Sequence, residues 1–136
     1  MNVLHYTELA DDRVVECPKG GFVSRRLLLG ENGMGFTMTR TTVKPTKVFQ
    51  RWHYKHHLEA CYCIKGHGIL KDVNGVQYQV VPGTMYALDK HDKHFFKALD
   101  TVILICVFNP PLTGQEIHQF DGSYQKAAHS KERQVA

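Results

Sequence analysis

Between Ser24 and Phe108 the chain alternates short runs of β-branched, aromatic and aliphatic residues with turn signals, which is the pattern of an all-β sandwich or barrel. The predicted strands are Ser24 to Leu29, Phe36 to Val43, His57 to Ile64, Gly68 to Val73, Val76 to Val80, Thr84 to Leu88, His94 to Ala98 and Thr101 to Phe108. Asn32-Gly33 and Asn74-Gly75 tolerate positive φ and suit tight hairpin turns. Pro82-Gly83 marks another reversal, so neighbouring strands are predicted to run antiparallel. Asn109-Pro110-Pro111 ends the last strand, because proline lacks the N–H that a central ladder uses. The chain is expected to leave the sheets there, with Gly114 to Tyr124 as an ordered cover. No internal repeat is visible, and the predicted organisation is one domain over 1–125 followed by a polar, frayed tail at 126–136.

Composition narrows the class without naming a function. A length of 136 residues suits a single hydrophobic core, and 43% hydrophobic content is ordinary for a globular chain. No apolar run approaches the roughly 18 residues of a membrane span, so no membrane partner is expected. The acidic start, with Glu8, Asp11 and Asp12, lacks the pattern of a secretory signal, and the expected location is the cytoplasm. A net charge of +4 raises the question of nucleic acid. Lys44, Lys47, Arg51, Lys55, Lys65 and Lys71 are scattered singly, however, so a solvated surface and no nucleic-acid partner is the expectation. Cys17, Cys61, Cys63 and Cys106 form no CxxC pair, and they read as reduced, mostly structural residues.

Candidate chemistry concentrates in two places. The segment Arg51-Trp52-His53-Tyr54-Lys55-His56-His57-Leu58-Glu59 runs into an apolar strand, and strand alternation puts His57 and Glu59 on one side, with Leu58 and Ala60 on the other. Taken alone, histidines just ahead of a strand are more often exposed loop residues than ligands, and the lone Trp52 reads first as a packing residue, though it could also wall a cavity with Tyr54 and Phe108. In Thr84 to His94 a strand enters a charged turn, across which Tyr86 and His94 are placed to meet as in a hairpin. For His91 a surface role is the simpler reading. A Glu, a Tyr and a His make a mixed O/N donor set for a divalent first-row metal such as Fe(II), and the ligand types leave zinc or another divalent metal equally open.

Glu59, six intervening residues and Gly66, then Pro82-Gly83 with Tyr86 three positions on, resemble the two halves of a degenerate cupin motif, with Tyr86 where cupins generally carry a histidine. Longer strings resemble the ectoine synthases: Asn32-Gly33-Met34-Gly35-Phe36, His57-Leu58-Glu59-Ala60, Tyr86-Ala87-Leu88-Asp89 through His94, and Cys106-Val107-Phe108-Asn109-Pro110-Pro111. The likeness runs from about Arg13 to Tyr124. It implies a single-domain, jelly-roll-like cupin barrel with a short C-terminal cover, assembling as a homodimer. It also implies an iron site of Glu59, Tyr86 and His94, and contacts to a small-molecule substrate from Arg26, Thr41, Tyr54, His57, Leu88, Asp92, Phe108, Glu116 and His118. The implied reaction is ring closure of N-γ-acetyl-L-2,4-diaminobutyrate to ectoine with loss of water. Phe22, where the family typically has tryptophan, and Arg25, where a smaller polar residue is common, depart from the pattern at one end of the pocket.

An amide carbonyl is a poor electrophile, so a metal Lewis acid suits this reaction. The protonated amine must also lose a proton, and the departing hydroxyl must gain one. Glu116 and His118, two positions apart and so on one face of an extended segment, are the candidates for those transfers, or else bind the substrate. Arg26 is a candidate partner for the substrate carboxylate, with an ion pair inside the protein as the plainer alternative. Rival readings are a related metal-cupin lyase or hydrolase for another small substrate, and a ligand-sensing cupin without turnover.

Overall fold

The structure, a computed structural model, describes residues 1–17, 19 and 21–114. The tail at 126–136, Glu116, His118 and all of the expected cover beyond Gly114 lie outside the described residues. The strands are β1 (Val14–Cys17), β2 (Phe22–Leu28), β3 (Thr37–Val43), β4 (Gln50–Trp52), β5 (Leu58–Lys65), β6 (Gly68–Lys71), β7 (Gln77–Val80), β8 (Met85–Leu88), β9 (His94–Ala98) and β10 (Val102–Asn109). They form a six-stranded sheet in the order β1-β2-β3-β10-β5-β8 and a four-stranded sheet in the order β4-β9-β6-β7, with antiparallel pairings throughout.

Alternation explains both sheets. Buried residues fall at every second position of β3, at Thr37, Thr39, Thr41 and Val43, and of β9, at His94, Phe96 and Ala98. β10 is buried at Val102, Ile103 and Leu104 before alternation resumes, because it lies between β3 and β5 in the middle of its sheet. The unexpected strands are short. β1 follows a 3-10 turn at Asp11–Arg13, and β4 sits inside the polar, histidine-rich segment, where its pairing of Trp52 with His94 makes it a strand.

The turns divide by their glycines. Asn74-Gly75 closes the β6–β7 hairpin, with the Gly75 amide donating to the Asp72 carbonyl at 3.1 Å and Gly75 at φ 85°. Asn32-Gly33 belongs to a longer connection containing a 3-10 turn at Gly30–Asn32, rather than to a tight hairpin. Pro82-Gly83 does make a turn, but β7 and β8 belong to different sheets, so the chain crosses between layers there instead of pairing with itself. Gly66 of the motif is required twice over. Its φ is 89°, and a Cβ would stand 2.1 Å from the Thr101 carbonyl oxygen.

After β10 the chain turns at Asn109-Pro110-Pro111 as expected and is sewn onto the β2–β3 connection. The Leu112 amide donates to Thr37 Oγ1 at 2.7 Å, and the Gly30 amide donates to the Leu112 carbonyl at 2.8 Å.

Candidate active site

The inner face of the larger sheet sets a group of polar residues among its apolar ones. Ser24 and Arg26 on β2, Thr37, Thr39 and Thr41 on β3, and Glu59 on β5 are all buried. Register sets Ser24 opposite Thr41 and Arg26 opposite Thr39, and the Thr39 and Thr41 hydroxyls hydrogen-bond at 2.9 Å. Across β10, Glu59 lies opposite Phe108 and Cys61 opposite Cys106; across β8, Glu59 lies opposite Leu88 and Cys61 opposite Tyr86. His57 and Glu59 are buried while Leu58 is exposed, as alternation predicts.

Between the sheets is a cavity of about 20 Å³, lined by Phe22, Thr41, Trp52, Tyr54, Glu59, Cys61, Tyr86, Leu104, Cys106 and Phe108. His94 packs against three of the lining residues, with its ring centroid 5.9 Å from those of Trp52 and Tyr54 and 6.5 Å from that of Tyr86. Tyr86 and His94 therefore do meet. They meet across the gap between sheets, since β8 belongs to one layer and β9 to the other, and not across a hairpin.

The donor atoms are prepared in a way that local hydrogen bonds explain. His94 Nδ1 donates to the Asp92 carbonyl at 3.0 Å, which leaves Nε2 as the lone-pair nitrogen, buried and without a partner. Burial lowers the His94 pKa from 6.5 to about 4, so the ring is neutral near pH 7. Glu59 has Oε1 buried without a partner, and burial raises its carboxyl from 4.5 to about 8, against hydrogen bonds from Cys61 and Cys106 that pull it down. Burial likewise pushes the Tyr86 phenol well above its usual value. A carboxyl oxygen and an imidazole nitrogen, both buried without partners, and a phenol packed beside that imidazole are what a divalent cation would complete.

The remaining candidates divide. Thr41, Tyr54 and Phe108 line the cavity, with the Tyr54 and Phe108 rings edge-to-face at 5.5 Å. His57 packs on Phe108 with ring centroids 6.3 Å apart, and its Nδ1 donates to the Pro110 carbonyl at 2.9 Å. Arg26 and Leu88 are buried on the same inner face. The Asp92 side chain is exposed, its carboxylate accepting from the Lys90 amide at 3.3 Å, and it is the Asp92 carbonyl that serves the site by orienting His94.

Sequence reasoning missed Cys61 and Cys106, and it placed Trp52 with the packing residues. Trp52 lines the cavity while stacking on Phe96, with centroids 5.3 Å apart. The cysteines are free thiols, as expected, but two of them are more than packing: Glu59, Cys61 and Cys106 bring their ligand atoms within 4.8 Å of one another. The signal was present, because Cys61 shares strand parity with Glu59.

Two antiparallel sheets enclosing a small donor-lined cavity define a cupin. The Schizosaccharomyces pombe Cnp3 cupin domain superposes with a TM-score of 0.55 at 10% identity, covering 65% of this chain and 61% of its own, a likeness of fold alone. Residues 1–128 match the ectoine synthase family, and the chain belongs to that family. The L-ectoine synthase of Desulfatibacillum aliphaticivorans is 50% identical over 117 residues, which is 85% of this chain and 89% of that protein. The crystal structure of ectoine synthase from P. lautus superposes with a TM-score of 0.77 at 43% identity, covering 84% of this chain and 81% of that one.

Proposed function

We propose that this chain is an iron-dependent lyase that closes N-γ-acetyl-L-2,4-diaminobutyrate into ectoine. The α-amine nitrogen forms a bond to the acetyl amide carbon, and the amide oxygen departs as water. The observation that carries the reading is the set of buried donors, Glu59 Oε1 and His94 Nε2 without partners and Tyr86 beside them, in a chain of the ectoine synthase family.

Glu59, Tyr86 and His94 would hold the metal, which supplies Lewis-acid polarisation of the amide carbonyl. Arg26 pairs with the substrate carboxylate. Thr41 adds a hydroxyl to the wall, and His57, Leu88 and Asp92 complete the assigned substrate contacts. Tyr54 and Phe108, with Trp52, hold the flexible substrate folded and exclude water that would reverse the condensation. Glu116 and His118 take the proton from the amine and return one to the departing hydroxyl. The same reading has the protein acting as a cytoplasmic homodimer that makes a compatible solute under osmotic stress.

The test is an anaerobic assay of the purified protein with Fe(II) and the acetylated diamine, following cyclic product by NMR with Glu59→Ala as control. Turnover that is lost in the variant supports the reading. Absence of turnover in folded, iron-loaded protein overturns it and points to a different substrate at the Phe22 end of the cavity.

A further inference from the structure

We infer that Cys61 and Cys106 form with Glu59 a second donor set, overlapping the first, through which this pocket takes a thiophilic divalent cation. The inference shares Glu59 with the reading above but does not use Tyr86 or His94 as ligands.

The geometry comes from register. Cys61 on β5 and Cys106 on β10 are direct cross-strand partners, both on the inner face, and each is at most 3% exposed. Their sulfurs are 3.5 Å apart. Two thiolates about 2.3 Å from one tetrahedral zinc ion stand roughly 3.7 Å from each other, whereas a disulfide needs about 2.05 Å. The observed spacing is that of a thiol–thiol hydrogen bond and is close to the one that two sulfurs sharing an ion adopt. Glu59 lies two positions before Cys61, so its carboxylate falls on the same face, with one carboxylate oxygen and the two sulfurs all within 4.8 Å of one another and Oε1 without a hydrogen-bond partner. Tyr86 is the cross-strand partner of Cys61 on β8, which sets the sulfur pair beside the oxygen and nitrogen set.

Two sulfurs and one carboxylate are a softer set than carboxylate, phenol and imidazole, and they favour Zn(II), Cd(II) or Co(II) over a harder ion. Glu59 belongs to both sets. A thiophilic ion on the sulfurs therefore competes directly with an ion held by Tyr86 and His94.

Co(II) reports its ligands by absorbance and is the probe to use. The full chain, stripped with chelator and reduced, is titrated anaerobically with Co(II), alongside Cys61→Val, Cys106→Ser and His94→Gln. The expected result is an intense sulfur-to-cobalt charge-transfer band in the near ultraviolet, saturating at one equivalent, kept in His94→Gln and lost in Cys61→Val. Outer-shell substitutions already cost roughly 10- to 100-fold in metal affinity, so removing a ligand weakens Co(II) binding by at least that factor. Co(II) bound with only weak visible bands that vanish in His94→Gln overturns the inference and leaves the first donor set standing. A band that persists in both cysteine variants assigns it to another thiol and also overturns the inference. No Co(II) binding by the wild-type protein overturns both readings. The wild-type spectrum decides even where a variant fails to fold.

Discussion

The two sheets face each other across one interior but carry different loads. The larger turns the polar Ser24, Arg26, Thr37, Thr39, Thr41 and Glu59 inward among apolar residues such as Phe22, Leu104 and Phe108; the smaller turns in Leu70, Val80, Phe96 and Ala98, with His94 as its polar exception. Buried polar groups are costly unless satisfied, whereas buried aliphatic and aromatic groups stabilise. The smaller sheet thus supplies packing that lets the larger one hold reactive groups out of water. Trp52 joins the two roles, stacking on Phe96 and walling the cavity.

Substitutions that separate activity from stability test this division most strongly. Glu59→Gln should lower turnover by at least roughly 100-fold, since even outer-shell changes at metal sites cost up to about that much. It should not lower the melting temperature of the metal-free protein and, because the buried carboxyl is gone, should raise it toward neutral pH. Phe96→Ala, at a fully buried position, should instead cost about 3–5 kcal/mol in denaturant unfolding. A large stability loss in Glu59→Gln, or a negligible one in Phe96→Ala, would break the contrast between the sheets.

Acidity gives a third test, on the metal-free protein. Glu59 is raised from 4.5 to about 8, so between those values the folded state keeps a proton that the unfolded state has lost, and stability falls as pH rises. His94 is lowered from 6.5 to about 4, so in that window the unfolded state binds the extra proton and stability falls as pH drops. The slopes oppose each other at acidic pH, and from about 6.5 to about 8 Glu59 acts alone. Thermal melts should show stability declining across that interval, by at most roughly 1.4 kcal/mol per pH unit, and Glu59→Gln should flatten the decline. A decline that survives in the variant belongs to some other group.

Much of this was legible in the chain because period-two alternation is a local signal. It placed β3, β5, β9 and β10 nearly to the residue and set His57 and Glu59 on the buried face. What it could not carry is partnership between strands. Pro82-Gly83 announces a turn but not that the chain changes sheets, so the meeting of Tyr86 with His94 was foreseen and its route was not. The Cys61–Cys106 pair depends on the register of strands far apart in sequence, which no local pattern encodes. β4 is a strand through its pairing with β9, and only that pairing brings Trp52 to the cavity.

The finest test of the polar face is Thr39→Val. Thr39 is fully buried, and its hydroxyl bonds that of Thr41 at 2.9 Å, while Thr41 itself lines the cavity. Valine keeps the β-branched shape but removes the partner, at a cost of about 1 kcal/mol for the lost hydrogen bond. If the pair only fills space, unfolding free energy changes by that amount and kinetics do not move. If Thr39 positions the Thr41 hydroxyl for substrate, KM rises while kcat stays near the parent value, because binding is weakened equally in the ground and transition states. Thr39→Ser, which keeps the hydroxyl, should restore KM in the second case. A KM unchanged in Thr39→Val would place this part of the larger sheet with the packing residues and shrink its reactive face to Thr41, Glu59 and their neighbours on β8 and β10.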